Sequence, residues 1–305
     1  MHKTDILIIA AALAMTACGH ASAQDTTADV QQQAAAAQAA EDDFHQVEAV
    51  RLWTPLAEQG MAVAQMHLGQ LYAGVCQDDA KAEQWLLKAA NQGLAEASDD
   101  LGDLYDADGP LNDPAKAMAW YQKGAEGGDA DAQYRLALMY RDGETVAADH
   151  TQAIYWLEKA VAQKSTNPRD PFVGVFAYAL AELYADAAQP SPDYAKAAYW
   201  YLQSANRGVF AIAQFKLGGL YEKGLGVPQD DIEAYKWYAI AAGEDREDEN
   251  EQALQTDTAA MNAVAAKMTS SQKAEAKKRV RAFHLMPTDR ISPRVVERGV
   301  SCPAT

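Results

Sequence analysis

The chain has 305 residues, 49% of them hydrophobic and 23% charged, which is enough apolar side chain for a packed core along its length. A formal net charge of -17 repels phosphate and argues against nucleic acid as a partner. The charge is uneven: nine basic residues from Lys267 to Arg298 face only Glu275, Asp289 and Glu297, so this stretch is +6 and the rest of the chain is -23.

The N-terminus reads as an export signal. Lys3 leads into an apolar run from Ile6 to Ala17, too short to span a bilayer. Two cleavage sites compete. Met15-Thr16-Ala17-Cys18 resembles a bacterial lipobox, which would make residues 1–18 the signal segment and Cys18 the lipidated residue. Ala21-Ser22-Ala23 instead fits ordinary signal peptidase, with cleavage after residue 23. Either reading takes the protein out of the cytoplasm, to the periplasm or to a lipid anchor on the outer membrane, with free secretion as the alternative. Residues 19–43 are Ala/Gln-rich and are expected to form a tether.

From residue 44 the pattern becomes helical. Residues 44–60, with Trp53, Leu56 and Ala57, look like the second half of a helix hairpin whose first half is missing. Over 61–243 one block then recurs five times, as Leu68-Gly69-Gln70-Leu71-Tyr72, Leu101-Gly102-Asp103-Leu104-Tyr105, Leu136-Ala137-Leu138-Met139-Tyr140, Leu180-Ala181-Glu182-Leu183-Tyr184 and Leu217-Gly218-Gly219-Leu220-Tyr221. A tryptophan follows each block by 13 to 16 residues: Trp85, Trp120, Trp156, Trp200 and Trp237. Their fixed place predicts core packing. The block leucine and the apolar residues at helical spacing around it predict a first helix with one buried face. Gly69, Gly102 and Gly218, with Ala137 and Ala181 at the same position, mark where a second helix approaches closely. Gly74, Gly143 and Gly224 are expected to close first helices. Asp149 with Gln152 and Asp230 with Glu233 have capping-box spacing, and Asp113-Pro114 puts proline at a first helical position. Second helices are expected to end near Gly93, Gly128, Gly208 and Gly243. A polar, proline-containing insertion, Lys164 to Pro171, lengthens one interval.

One such hairpin cannot bury its apolar stripe alone, so neighbours must stack. The combined pattern, with Gln65, Gln133 and Gln214 before the block and Lys81-Ala82 and Lys116-Ala117 before the tryptophan, resembles the Sel-1-like repeat, a relative of the tetratricopeptide repeat. The resemblance covers about residues 45 to 284 and implies an all-α fold: a right-handed α-solenoid of tandem helix hairpins that binds proteins. After the repeats come an acidic linker (244–258), a capping-helix region (259–286) with Thr269 and Gln272 as its capping box, and a basic tail (287–305).

Catalytic motifs are missing. The six histidines are scattered, and there is no P-loop, H-E-x-x-H or G-x-S-x-G. Ser270-Ser271-Gln272-Lys273 matches S-x-x-K without its partner motifs, and Ser270 falls in the first turn of a helix, so a β-lactamase or peptidoglycan-active enzyme is the weakest alternative. The acidic run Glu244 to Glu251 lacks the oxygen spacing of a calcium loop, and its contact with the basic Lys273 to Arg281 face would make an internal clamp. No metal or cofactor is expected. Cys76 and Cys302 stand at opposite ends of the array, and their pairing stays open.

The first-helix positions two before and two after the block leucine share one face. They read Met66/Gln70, Asp99/Asp103, Tyr134/Leu138, Tyr178/Glu182 and Phe215/Gly219. First helices line the concave surface of related solenoids, so Met66, Asp99, Asp103, Tyr134, Leu138, Tyr178 and Phe215 are candidate partner-binding residues. The competing reading is that they pack between adjacent helices. The functional expectation is a non-enzymatic scaffold or adaptor in the bacterial envelope, with a secreted host-interacting factor as the alternative.

Overall fold

A computed structural model of the chain describes residues 22–164, 171–186, 191–206, 211–247 and 250–283. The described residues form fourteen α-helices and one π-helical turn, with no strand among them. They divide into two compact units whose boundary falls between Ala132 and Gln133. The export signal with Cys18, the core of the insertion, Gly208, the basic tail and Cys302 lie outside the described residues.

The first unit opens with α1 (Ser22–Asp42), α2 (Gln46–Glu58) and α3 (Ala62–Leu71). The stretch expected to be a tether is therefore a helix. Alanine has the highest helix propensity, and its small side chain lets α1 lie close on α2. Ala34, Ala37 and Ala40 are buried against Ala49, Val50 and Trp53. The second-half hairpin helix is not orphaned either, because α1 supplies its mate: the Trp53 indole N–H donates to Glu41 of α1 at 2.5 Å and stacks flat on His67 of α3 at 4.6 Å.

The π-helical turn Tyr72–Cys76 follows α3, then come α4 (Asp79–Asn91), α5 (Ala95–Asp106) and α6 (Pro114–Glu126). Gly74 does not close the first helix as expected. It sits inside the π-turn, and Gln77 takes the left-handed conformation at φ 51°. Cys76, at the end of that turn, is disulfide-bonded. The second unit holds most of α7 (Ala130–Asp142), then α8 (His150–Lys164), α9 (Pro171–Ala185), α10 (Tyr194–Ala205), α11 (Ala211–Lys223) and α12 (Asp231–Glu247). It closes with α13 (Glu251–Lys267) and α14 (Ser270–Ala282).

Four repeated contacts explain the sequence pattern. The carbonyl of each block tyrosine accepts from the N–H of an aspartate: Tyr72 from Asp78, Tyr105 from Asp113, Tyr140 from Asp149, Tyr184 from Asp193 and Tyr221 from Asp230. Each of those aspartates caps the next helix through its carboxylate, a contact worth about 1 kcal/mol. The lysines of the Lys-Ala pairs, Lys81 and Lys116, lie 5.0 Å from the rings of Tyr72 and Tyr105, as Lys196 lies 4.8 Å from Tyr184. The residue after the repeat tryptophan presses on the small residue of the block: a Cβ on Gly69 would meet Leu86 at 2.6 Å, one on Gly218 would meet Tyr238 at 2.9 Å, and one on Gly102 would run into the Tyr121 ring.

Leu68, Leu101, Leu136, Leu180 and Leu217, the block leucines, are all buried, each contributing about 1.5–3 kcal/mol by leaving water. Trp156 and Trp237 are buried as predicted, whereas Trp85, Trp120 and Trp200 are only half-buried. Lys88 covers the Trp85 ring at 3.5 Å and Lys123 the Trp120 ring at 4.5 Å, so a lysine stem takes the place of a packed neighbour.

The C-terminal end differs from expectation in its details. Gly243 does not end α12, which runs on to Glu247, and α13 begins at Glu251, so most of the supposed acidic linker is helix. Thr269 and Gln272 do form a reciprocal capping box, and Ser270 opens α14. The basic face of α14 pairs upstream of the acidic run: Arg279 meets Glu233 of α12 at 2.6 Å, and Lys267 of α13 meets Glu222 of α11 at 2.9 Å.

Candidate functional surface

The close approach just described also brings members of the first-helix row against the hairpin partner: Asp103, Tyr178 and Phe215 each lie against the tyrosine that follows the repeat tryptophan. Within the first unit, Met66 is 4% exposed and so offers a partner nothing; its side chain fills the core. Gln70, next on that face, donates to Asp100 at 2.9 Å. Asp103 is exposed and accepts from the Tyr121 hydroxyl at 2.7 Å. Asp99 is half-buried, and its Oδ1 is shielded from solvent with no hydrogen-bond partner.

Burial pushes the Asp99 carboxyl up to about 8, reinforced by the negative charges of Asp129, Asp103, Asp100 and Asp131. Asp100 rises to about 7 for the same first reason, partly offset by the bond from Gln70. This α5 surface therefore holds protons at neutral pH that ordinary carboxyls have lost.

Within the second unit the aromatic members of the row are half-buried and each touches another ring. Tyr134 stacks on Phe176 at 4.9 Å, Tyr178 lies 6.1 Å from Tyr201, and Phe215 lies 5.2 Å from Tyr238. Leu138 is half-buried beside them on α7. These rings thus pack on their neighbours while keeping one edge in solvent.

Tyr178 also lines an open cavity of about 520 Å³, together with Arg141 of α7, Glu182 of α9, Asp186 just past its end, Tyr201 of α10 and Lys216 of α11. Glu182 is its centre: it accepts from the Tyr201 hydroxyl and pairs with Lys216 at 3.3 Å. The Arg141 guanidinium grips Asp142 through two hydrogen bonds of 2.6 and 3.0 Å, which raises its pKa. Asp186 faces His150 at 3.8 Å. Burial, then the Glu182 charge, pushes the Tyr178 phenol up to about 12, and burial with the bond to Glu182 raises Tyr201 further. Both phenols stay protonated at neutral pH, so they act as hydrogen-bond donors and not as bases. No group of three metal-ligating side chains occurs among the described residues.

The sequence row pointed to Tyr178 and Glu182 but missed Arg141, Asp186, Tyr201 and Lys216. A signal for Tyr201 was present: tyrosine follows the tryptophan at 121, 201 and 238, and an acid stands two after the block leucine at 103 and 182. In the structure these are hydrogen-bonded pairs, Tyr121 with Asp103 and Tyr201 with Glu182.

A family model described as the Sel1 repeat matches residues 62–94, 95–129, 130–165, 175–209 and 211–244. Among solved structures, a Sel1 repeat protein from Oxalobacter formigenes is similar at 24% identity with a TM-score of 0.57, over 70% of this chain and 82% of that one. That likeness shows the shared α-solenoid fold. A protective antigen of uropathogenic Escherichia coli strains, described as displaying an SLR fold, is 26% identical with a TM-score of 0.45 over 78% of this chain, which spans 56% of that protein's length. A Sel1 repeat protein of Klebsiella pneumoniae is 22% identical with a TM-score of 0.44, over 70% of this chain and 97% of that one. No curated protein matches the chain.

Proposed function

This chain belongs to the Sel1 repeat family, and on that premise we propose that it is an envelope scaffold that seats a partner protein on its first-helix row. Sel1 repeat proteins generally act as protein-interaction scaffolds and are generally non-catalytic, so a binding role is the coarse reading. The finer reading rests on one observation. The second unit opens a cavity to solvent that is lined by two cations, Arg141 of α7 and Lys216 of α11, two carboxylates, Glu182 and Asp186, and the phenols of Tyr178 and Tyr201. A surface with this mixture can hold a peptide's backbone and charged side chains, and it has no arrangement for bond-making chemistry.

The envelope location rests on the apolar run ending at Cys18, with lipid attachment there as the membrane tether and no cofactor required. No helix among the described residues is long and apolar enough to cross a membrane. A photo-activated amino acid placed at Lys216, in the cavity wall, tests the scaffold reading in living cells. The same probe at exposed Gln122 of α6 serves as the control. A defined protein crosslinking at 216 and absent at 122 is the expected result. Equal labelling at both positions, or none at 216, would overturn the assignment.

A further inference from the structure

We propose that α1 exchanges between two copies of this chain, giving a dimer in which each α1 caps the other copy's α2 and α3. The connection from α1 to α2 is short, Asp43-Phe44-His45. It is closed by hydrogen bonds from the Phe44 N–H to the Glu41 carbonyl at 2.9 Å and from the His45 N–H to the Ala40 carbonyl at 2.8 Å. A cap of this kind needs a left-handed residue, and Phe44 supplies it at φ 61°. Gly60, Gly93, Gly128, Gly143 and Gly224 take positive φ elsewhere in the array. A phenylalanine in that conformation is strained, because its Cβ crowds the backbone carbonyl. With helical angles at residues 43–45, α1 and α2 become one helix from Ser22 to Glu58 and the strain is gone.

Opening this hinge lifts α1 off its own α2 and α3. The hold it gives up is light: Ala34, Ala37 and Ala40, the edge of Val30, and Glu41, which accepts from the Trp53 indole and faces His67 at 3.2 Å. The face left behind carries Ala49, Val50 and Trp53, too apolar to stay bare in water. The occupant that fits this face residue for residue is the α1 of a second copy, since its contacts are the ones already made within one chain. An exchanged pair keeps those contacts and sheds two strained residues.

The side chains at the hinge supply a further contact. Phe44 is 47% exposed and Val47 38%, and they are the only exposed large hydrophobic residues among the described residues of the first unit. Two opened helices lying antiparallel have their two-fold axis at residues 43–45, where Phe44 and Val47 of one copy meet those of the other. Asp42, Asp43 and Glu48 gather at the same place and repel their counterparts, so salt should strengthen the exchange. The exchanged pair carries two repeat arrays on one particle, which raises the avidity of whatever binds them.

The test refolds the full chain from urea as an equal mixture of isotopically light and heavy protein, with a photo-activated amino acid at Gln33, half-buried beside Ala34. Association costs translational freedom, so refolding is done at high protein concentration. The expected product is a dimer on gel filtration in which residue 33 of one isotope crosslinks to α2 or α3 of the other, while the monomer holds same-isotope links alone. Phe44→Gly relieves the strain in the closed hinge and puts a poor helix former in the opened one, so the dimer dissociation constant should rise by about tenfold or more. Deleting residues 43–45 leaves α1 no chain in which to turn back, and all of that variant should elute as dimer. Absence of a wild-type dimer, a dimer whose links stay within one isotope, or a Phe44→Gly dimer as strong as the wild type would each overturn the proposal. If the deletion variant does not fold, the wild type and Phe44→Gly decide by themselves.

Discussion

Gln65 and Gln214 occupy one position of the repeat, and the structure predicts that replacing them has effects of opposite sign. Gln65 is 5% exposed; its Nε2 donates to the Ala57 carbonyl at 3.0 Å and its Oε1 accepts from Gln92 at 2.8 Å. Gln214 is fully buried, and neither polar atom of its amide has a partner among the described residues. The cause is register. Gln65 comes eight residues after Ala57, whereas Gln214 comes nine after Ala205, the equivalent alanine, because the fifth repeat carries an extra residue. Methionine matches glutamine in shape and volume without the amide. Gln65→Met forfeits two hydrogen bonds at a net value of about 0.5–1.5 kcal/mol each. The Ala57 carbonyl keeps its bond from Gly60 and Gln92 can turn to water, so the loss should be about 1–3 kcal/mol and no more. Gln214→Met removes an unmatched desolvation cost and should be neutral or stabilising by about 1 kcal/mol. Urea unfolding followed by far-UV circular dichroism at pH 7 measures both. A loss of similar size in the two variants would refute the register argument and show that Gln214 is satisfied after all.

The Asp99 carboxyl offers a pH test. Its folded pKa of about 8 lies above the ordinary value of 3.8, so the native state holds a proton that the unfolded chain releases between those limits. Stability should therefore be greatest at the acid end of that window and fall as pH rises towards 8, by at most about 1.4 kcal/mol per pH unit for this group. Asp99→Asn should flatten that decline and be the more stable protein at pH 8; an unchanged profile between pH 5 and 8 would contradict the buried, crowded carboxyl. Gly102→Ala drives a Cβ into the Tyr121 ring and should cost about 1–3 kcal/mol, while Gly74→Ala, with open space around its Cα, should be nearly silent in the same melting assay. Deleting residues 22–43 uncovers Ala49, Val50 and Trp53, so the shortened protein should melt earlier and show a red-shifted tryptophan emission; an unchanged melt would mean that α1 contributes no cap.

The hairpin architecture was readable because the side chains that build it recur at fixed offsets. The block leucines, the small residue at 69, 102 and 218, the capping aspartates and the tyrosine carbonyls that receive their N–H groups all act within a single helix hairpin. Local geometry of that kind repeats whenever its residues repeat. The misreadings have equally particular causes. Residues 19–43 lack large apolar side chains, so their composition suggested a tether. An alanine face becomes a core surface only when another helix lies close enough to use it, as α2 does. Gly74 and Gly243 matched the expected places for helix ends. The backbone turned instead at Gln77 and carried on past 243, because helix ends depend on the packing that follows as well as on glycine.

The candidate surface divides along the same line. The sequence by itself determined which residues of each first helix share one face, since that follows from helical spacing relative to the block leucine. Only the tertiary structure decided what lies on that face. It buried Met66, brought Arg141, Glu182, Tyr201 and Lys216 around one cavity, and buried Asp99 among four other acids so that its proton was retained. The physical reason is range. Helix periodicity and capping act over three or four residues and are written in the order of the chain. Cavities and shifted carboxyls also draw on groups from different helices, such as Arg141 with Lys216 or Asp99 with Asp129, whose distances exist only after those helices have packed.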